Sequence, residues 1–548
     1  MTDQQPQWWR DAVIYQIYIR SFADGTGTGI GDVRGLRSRL SYLSDLGVDA
    51  LWITPWYPSP MRDGGYDVED YRDIAQLFGT LAIAQELIDD AHSRGIRIIL
   101  DLVPNHTSSR HPWFGAARAA GPGSLERDRY IFRPGRGPSG DSPPNNWHSI
   151  FGGPAWSRIT ERDGSPGDWY LHLFDSSQPD LNWTNEDVLA EFDDILRFWF
   201  DRGVDGMRID VAHGMIKAPG LPNMPTDDGG ALLEPSQVAD HPYWDRDGVH
   251  EIYRRWRKIA DSYDHHPVFV AEAWVNSPER LAAYVRPDEL HTAFNFDYLR
   301  APWSAPELRA TIDATLHAMG SAGAPATWVL SNHDVERHVT RYGRAETAAG
   351  VGADRPADPG PSDEVLGTRR ARAAALLMLA LPGGAYVYQG EELGLPEVTD
   401  IPEHMLADPI WERSGHTQRG RDGCRVPLPW QVSGPSYGFG VSQPWLPQPA
   451  DWGRRSVQAQ VSDPGSTLTL YRDALRLRQS LPALGDGVLE WIDMGDSVLS
   501  FAREPEFICV VNFGTAPVTL PDHQRILLAS TPFDGGLLPT DSAAWLTT

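Results

Sequence analysis

Short apolar runs recur along this chain at spacings too long for hairpins. They are 12–19 (AVIYQIYI), 49–54 (DALWIT), 97–103 (RIILDLV), 205–210 (DGMRID), 268–272 (VFVAE), 290–296, 326–331 (ATWVLS) and 385–388 (AYVY). Helical periodicity fills most of the gaps, as over 36–46, 83–94 and 371–381. Eight strands, most of them followed by a helix, predict an α/β protein built on a (β/α)8 TIM barrel. An open doubly wound sheet is the alternative, but its first strand should lead into a Gly-rich phosphate loop that opens a helix directly. Here the Gly-rich stretch 24–32 (DGTGTGIGD) reads as separated from the next helical period by several residues.

Two segments break the rhythm. Residues 106–178 are rich in Pro, Gly, Trp and Asn, with no helical period beyond about 114–120, and read as a subdomain inserted after strand three. After a helix around 466–480 come short alternating runs (VLEWIDM, VLSFARE, FICVVNFG, PVTLP), which predict a C-terminal antiparallel β domain. The expected organisation is a first barrel part (1–105), the insertion (106–178), a second barrel part (179–480) and the β domain (481–548). A further loop, 211–250, follows strand four.

Composition narrows the function. With 48 basic against 74 acidic residues the net charge is −26, which disfavours nucleic acid and anionic membranes as partners and suits a neutral substrate. The only lysines are Lys217 and Lys258, and Lys217 reads as a solvated charge. Two cysteines, Cys424 and Cys509, suit a reducing compartment. The first ten residues lack a basic segment followed by an apolar run, and no stretch approaches the ~20 apolar residues of a membrane helix. A cytoplasmic protein is expected; its oligomeric state is left open.

Barrel enzymes carry their chemistry at the C-terminal ends of the strands. There the sequence places Asp101, Asn105 and His106 (strand three), Arg208 and Asp210 (four), Glu272 (five), and Asn332, His333 and Asp334 (seven). A single acid in such a place is usually structural. Three, with histidines and an arginine, point to a working site. Two facing carboxylates are what glycoside hydrolysis needs, one as nucleophile and one as proton donor. A metal pair is the alternative, but no closely spaced His-x-His or Asp-x-His set appears. Arg208, two residues away, is expected to keep Asp210 ionised. Glu272 stands between alanines after VFV, a setting expected to favour its protonated form.

The ordered set DLVPNH (101–106), GMRID (206–210), FVAEAW (269–274) and LSNHD (330–334) resembles the four sequence regions of the α-amylase superfamily of retaining glycosidases. QPDLN (178–182), YQGEELG (388–394) and CRVPLPW (424–430) resemble its oligo-1,6-glucosidase and α-glucosidase branch. The resemblance implies that Asp210 attacks the anomeric carbon, that Glu272 is acid and then base, and that Asp334 binds the 2- and 3-hydroxyls and distorts the ring. It also implies that Asp63 and Tyr66 close the non-reducing end of the pocket, while His106, Arg208, His333 and Arg425 hold the same ring. Phe151 and Phe174, from the insertion, match positions that narrow the pocket; core packing is the alternative, evenly weighted for Phe151.

Two departures bear on specificity. Endo-acting α-amylases tend to carry Lys-His three and four residues past the nucleophile; here His213 and Gly214 stand there, favouring a closed pocket. Val211, next to the nucleophile, resembles α-1,6-acting members of the branch. The expected activity is an exo-acting α-glucosidase on short α-glucosides, with transglucosylation where an acceptor outcompetes water. A transferase or isomerase of the same superfamily, acting on maltose, sucrose or trehalose, would share the trio. A non-catalytic scaffold of this fold is the reading from another class, and it would be expected to lose the acids and carry a membrane anchor. No cofactor is required on this reading. The resemblance also places a calcium-like ion at Asp24, Thr26, Thr28, Ile30 (by its carbonyl) and Asp32. Thr replaces an amide and a carboxylate in that set, so the site is degenerate, with lowered affinity or empty.

Overall fold

A computed structural model describes residues 7–225, 238, 240–348, 360–533 and 536–548. Residues 1–6 and part of the 211–250 loop lie outside the described residues. Eight parallel strands form one sheet: β1 Val13–Ile17, β2 Ala50–Ile53, β3 Arg97–Leu102, β4 Gly206–Ile209, β5 Val268–Ala271, β6 Thr292–Ala293, β7 Thr327–Val329 and β8 Gly384–Tyr388. β8 pairs with both β1 and β7, so the order runs β7-β8-β1-β2-β3-β4-β5-β6 and the barrel is nearly closed. Among the described residues no ladder joins β6 to β7. The expected strand 290–296 shrinks to two residues because Asn295 caps a helix, Phe296–Arg300, by accepting from Tyr298 N–H.

Both faces of the strands are apolar, as a sheet covered by helices requires. Ile14, Trp52, Ile99, Val270, Val329 and Tyr386 fill the barrel interior. Their neighbours Tyr15, Leu51, Ile98, Leu100 and Phe269 face the surrounding helices. The helical period read over 36–46 is two helices, Val33–Ser38 and Leu40–Leu46, broken at Arg39. Helix Glu364–Ala380 is buried almost all round over its second half, because a five-stranded antiparallel C-terminal sheet covers it. Trp545 of that sheet donates to Leu376 O at 3.0 Å, and Arg503 to Ala380 O at 2.9 Å.

The segment 106–178 carries helices Pro112–Ala120 and Leu125–Asp128 and a three-stranded antiparallel sheet of Phe132–Arg133, Pro166–Leu171 and Trp156–Thr160. It leans on the loop after β4: Trp147 donates to Pro222 O at 2.8 Å and Asn145 to Leu221 O at 3.1 Å.

The Gly-rich stretch corrects one expectation. Helix Val33–Ser38 opens immediately after it, with Asp32 as N-cap accepting from Gly35 N–H at 2.7 Å. The loop's own amides turn onto its two aspartates. Asp24 accepts from the N–H groups of Thr26, Gly27, Thr28 and Gly29, and Asp32 from Gly25 N–H and from the Thr26 N–H and hydroxyl. The Thr28 hydroxyl in turn contacts Ile30 O at 3.3 Å. A cation wants converging oxygens, whereas here N–H dipoles converge on the carboxylates that would ligate it. The donor set does not fit a calcium-like ion.

Candidate active site

Strand register assembles the site. Asp101 of β3 lies opposite Arg208 of β4, and Ile209 opposite Ala271. Asp210 and Glu272 therefore leave adjacent strands side by side at the barrel mouth. Glu272 N–H donates to Ile209 O and Ala212 N–H to Glu272 O, which stitches the two exits together.

Arg208 is the common partner of three acids. Its Nη1 donates to Asp101 at 2.9 Å and to Asp210 at 2.5 Å, and its Nη2 lies 2.8 Å from Glu272 Oε2. All four side chains are buried. One guanidinium cannot compensate three carboxylates away from water. Burial pushes Asp210 well above the usual carboxylate range; Arg208 opposes this, and the nearby Glu272 and Asp101 add to it. Burial thus works against the expectation that Arg208 keeps Asp210 ionised. Asp101 is raised to about 6, again by burial with Arg208 opposing.

The surroundings of Glu272 are also not those expected. Beyond Arg208, its Oε2 accepts Val211 N–H at 2.9 Å and its Oε1 the Trp274 indole N–H at 3.3 Å. The flanking alanines face away, so donors rather than apolar atoms surround the carboxyl. Val211 reaches it from a left-handed backbone, φ 46°, unusual for a β-branched residue.

Asp334 is the opposite case. Burial would raise it, yet it lies well below the usual range, with His333, Arg421 and Arg425 all close to it. His333, itself pushed to about 3 by burial, is neutral at physiological pH. The charge that holds Asp334 ionised is therefore that of the arginines, which donate at 3.0 Å (Arg421) and 2.9 Å (Arg425). The His333 ring stacks on Tyr66, with centroids 5.5 Å apart and an interplanar angle of 7°. The Tyr66 hydroxyl donates to Asp101 at 2.9 Å and meets His333 Nε2 at 2.8 Å.

Arg421 was missed in the sequence, although it lies four residues before Arg425 in the same loop. It donates to Asp63 at 2.9 Å, to Asp334 at 3.0 Å and to Asp408 at 2.6 Å, and its guanidinium lies 5.6 Å from the Phe151 ring centre. Gln178, which opens QPDLN, was also missed; it donates to Asp63 at 3.1 Å. His106 packs against Phe174 with centroids 5.1 Å apart, and Phe174 against Phe151 at 5.9 Å. Phe151 thus belongs both to the apolar core of the insertion and to the wall beside Arg421. Every expected catalytic and sugar-binding residue falls within this one network. The loop 24–32 does not join it; it docks on residues 439–445 instead, through Asp24 N–H to Phe439 O and Trp445 N–H to Gly29 O. Lys217 corrects a further expectation: its side chain is buried, its ammonium 2.7 Å from Asp180.

Chemically, the site offers a carboxylate pair on adjacent strands, a third acid held ionised opposite, and neutral imidazoles with arginine donors around them. That set suits stabilising a developing positive charge on a sugar ring. Known proteins agree. The model of the α-amylase catalytic domain matches residues 16–487. An oligo-1,6-glucosidase of Parageobacillus thermoglucosidasius is 34% identical, covering 94% of this chain and 92% of the relative. Among solved structures, the α-glucosyl transfer enzyme XgtA superposes with a TM-score of 0.84 at 35% identity, covering 99% of this chain and 100% of the other. The trehalulose synthase MutB from Pseudomonas mesoacidophila gives 0.86 at 30%, with the same coverage. The ordered motifs, the barrel and these matches together make the chain a member of the α-amylase family of glycoside hydrolases.

Proposed function

We propose that this chain is an exo-acting retaining α-glucosidase that removes terminal glucose from short α-glucosides and transfers it to sugars or alcohols that displace water. The observation that carries the exo reading is the ion pair from Arg421 to Asp63, continued to Asp334. It ties the loop after β2 to the loop after β8 beyond the sugar-binding acid. A chain of sugars cannot run on past that point, so a single terminal ring is bound.

In this reading Asp210 attacks the anomeric carbon while Glu272 gives its proton to the leaving oxygen. Water then enters on the same face, Glu272 takes its proton back, and Asp210 leaves the sugar with retained configuration. Asp334, ionised throughout, accepts hydrogen bonds from the ring's hydroxyls. Asp63, Tyr66, His106, Arg208, His333 and Arg425 orient the ring, with Phe151 and Phe174 walling it. No step calls for a metal or cofactor. Among the described residues no helix is long and apolar enough to cross a membrane. Both cysteines are buried, and a chain of this size with only two of them suits a reducing, cytoplasmic setting.

A glucosyltransferase or isomerase reading is kept because two similar structures are named for transfer and for trehalulose synthesis. A product profile over maltose, isomaltose, sucrose, trehalose and soluble starch separates the readings. Free glucose from short substrates supports the glucosidase, isomeric disaccharides support the isomerase, and starch as best substrate overturns the closed pocket. The same profile reads the linkage preference that Val211 bears on.

A further inference from the structure

Lys217 is one of two lysines in the chain and does not touch the reacting acids. Its side chain is 3% exposed. All three ammonium hydrogens are used: on Asp180 Oδ2 at 2.7 Å, Asn105 Oδ1 at 2.8 Å and Gly214 O at 2.7 Å. These acceptors belong to three separate pieces of chain. Asp180 lies where the chain returns from the insertion, pairing antiparallel with His106; Asn105 follows β3; Gly214 ends the turn after the nucleophile. A merely solvated lysine would not fill all three donors from three directions.

The consequence runs through Asn105. An amide has one accepting end and one donating end, and an ammonium can only donate. Lys217 therefore orients Asn105 with its oxygen toward the lysine. Its Nδ2 then faces His106 Nδ1 at 3.2 Å and Asp180 Oδ2 at 3.2 Å. A donor facing Nδ1 leaves that nitrogen the acceptor. Burial lowers the pKa of His106, so at physiological pH the ring is neutral and holds one proton. That proton belongs on Nε2, which has Tyr66 O as acceptor at 3.1 Å. Gln178 Nε2, a second donor that also serves Asp63, lies 3.1 Å from this nitrogen as well, but of the two ring nitrogens Nε2 alone has an acceptor beside it, Tyr66 O.

We propose that Lys217 is a positioning residue: through Asn105 it sets His106 in the Nε2–H tautomer, so that its one N–H, held by Tyr66 O here, is the donor that a sugar hydroxyl would take over, and through Asp180 it pins the insertion to the nucleophile turn. The sugar-binding part of this rests on the glucosidase reading. The tautomer does not.

The test is long-range 1H–15N correlation spectroscopy on the full chain labelled with 15N-histidine, His106 being assigned with H106Q. The wild type is expected to show Nε2 protonated and Nδ1 bare. In the double variant K217M/D180N, which removes both charges and leaves no lone buried ion, Asn105 can turn, and protonation of Nδ1 is expected. KM for a nitrophenyl α-glucoside should rise about tenfold, the loss of one good hydrogen bond. N105D/D180N, which keeps one carboxylate beside Lys217 and puts an oxygen where the donor was, should also move the proton to Nδ1 with Lys217 in place, and decides the matter if the first double variant does not fold. A wild-type ring protonated at Nδ1 overturns the proposal, as does an unchanged tautomer in the variants. A role as a simple strut would lower Tm and leave the tautomer alone. A protein inactive on every α-glucoside would sink the glucosidase reading and leave the tautomer result intact.

Discussion

Asp63 and Arg421, 358 positions apart in the chain, meet at 2.9 Å with both side chains buried. Arg421 reaches Asp334 and Asp408 from the same fork. This geometry depends on a planar guanidinium, which lysine cannot reproduce. R421K is expected to raise KM for a nitrophenyl α-glucoside about tenfold. R421M, which leaves buried carboxylates uncompensated, should also cost about 3–5 kcal/mol of stability. Steady-state kinetics and thermal melts check both. An unchanged KM in R421K would remove the ion pair from the sugar site.

Replacing Asp210, the proposed nucleophile, should abolish turnover without unfolding the barrel, because Asn fills the same volume. D210N is expected to lower kcat by about 10⁴-fold or more. E272Q should be less impaired on a dinitrophenyl glucoside, whose leaving group needs little protonation, than on maltose. Equal losses on both substrates would take the acid role away from Glu272. The first sugar released by the wild type should be α-glucose by NMR; β-glucose would exclude retention.

Outside the site, Glu391 gives a pH dependence of a defined sign. It is buried, its Oε1 has no hydrogen-bond partner among the described residues, and burial pushes it from 4.5 to about 8. An acid with a raised folded pKa contributes stability that is fully present below about 4.5 and lost as pH rises toward 8. E391Q keeps the shape and removes the charge. Its melting temperature should match the wild type near pH 4.5 and exceed it above pH 8, by roughly 5 kcal/mol in stability. Identical curves across that range would show that Glu391 is not held protonated.

The loop 24–32 should be indifferent to chelation. Because its N–H groups already occupy Asp24 and Asp32, EDTA or added calcium is expected to move Tm by less than about 1 °C, as a ligand that does not bind the folded state must. D24A should instead lower Tm, since it strands four amides that the carboxylate collects. A large EDTA effect would restore the metal reading.

Much was legible in the sequence because the signal was local. Alternating apolar runs and helical periods marked the barrel strands, and short motifs marked Asp210, Glu272 and Asp334 at the ends of β4, β5 and β7. Misreadings came where partners lie far away in the chain. Glu272 looked apolar beside its alanines, yet Arg208, Val211 and Trp274 supply its donors. Lys217 looked solvated in a polar loop, yet Asp180 and Asn105 bury it.

The sequence by itself determined the periodicity that makes a barrel and the acids that stand at the ends of its strands. Tertiary structure alone decided the protonation and reach of those acids. Burial raises Asp210, while two arginines from the loop after β8 hold Asp334 down. The physical reason is that strand and motif are properties of neighbouring residues, whereas a carboxyl's charge depends on which dipoles and cations the whole chain brings within a few ångströms and how much water it excludes.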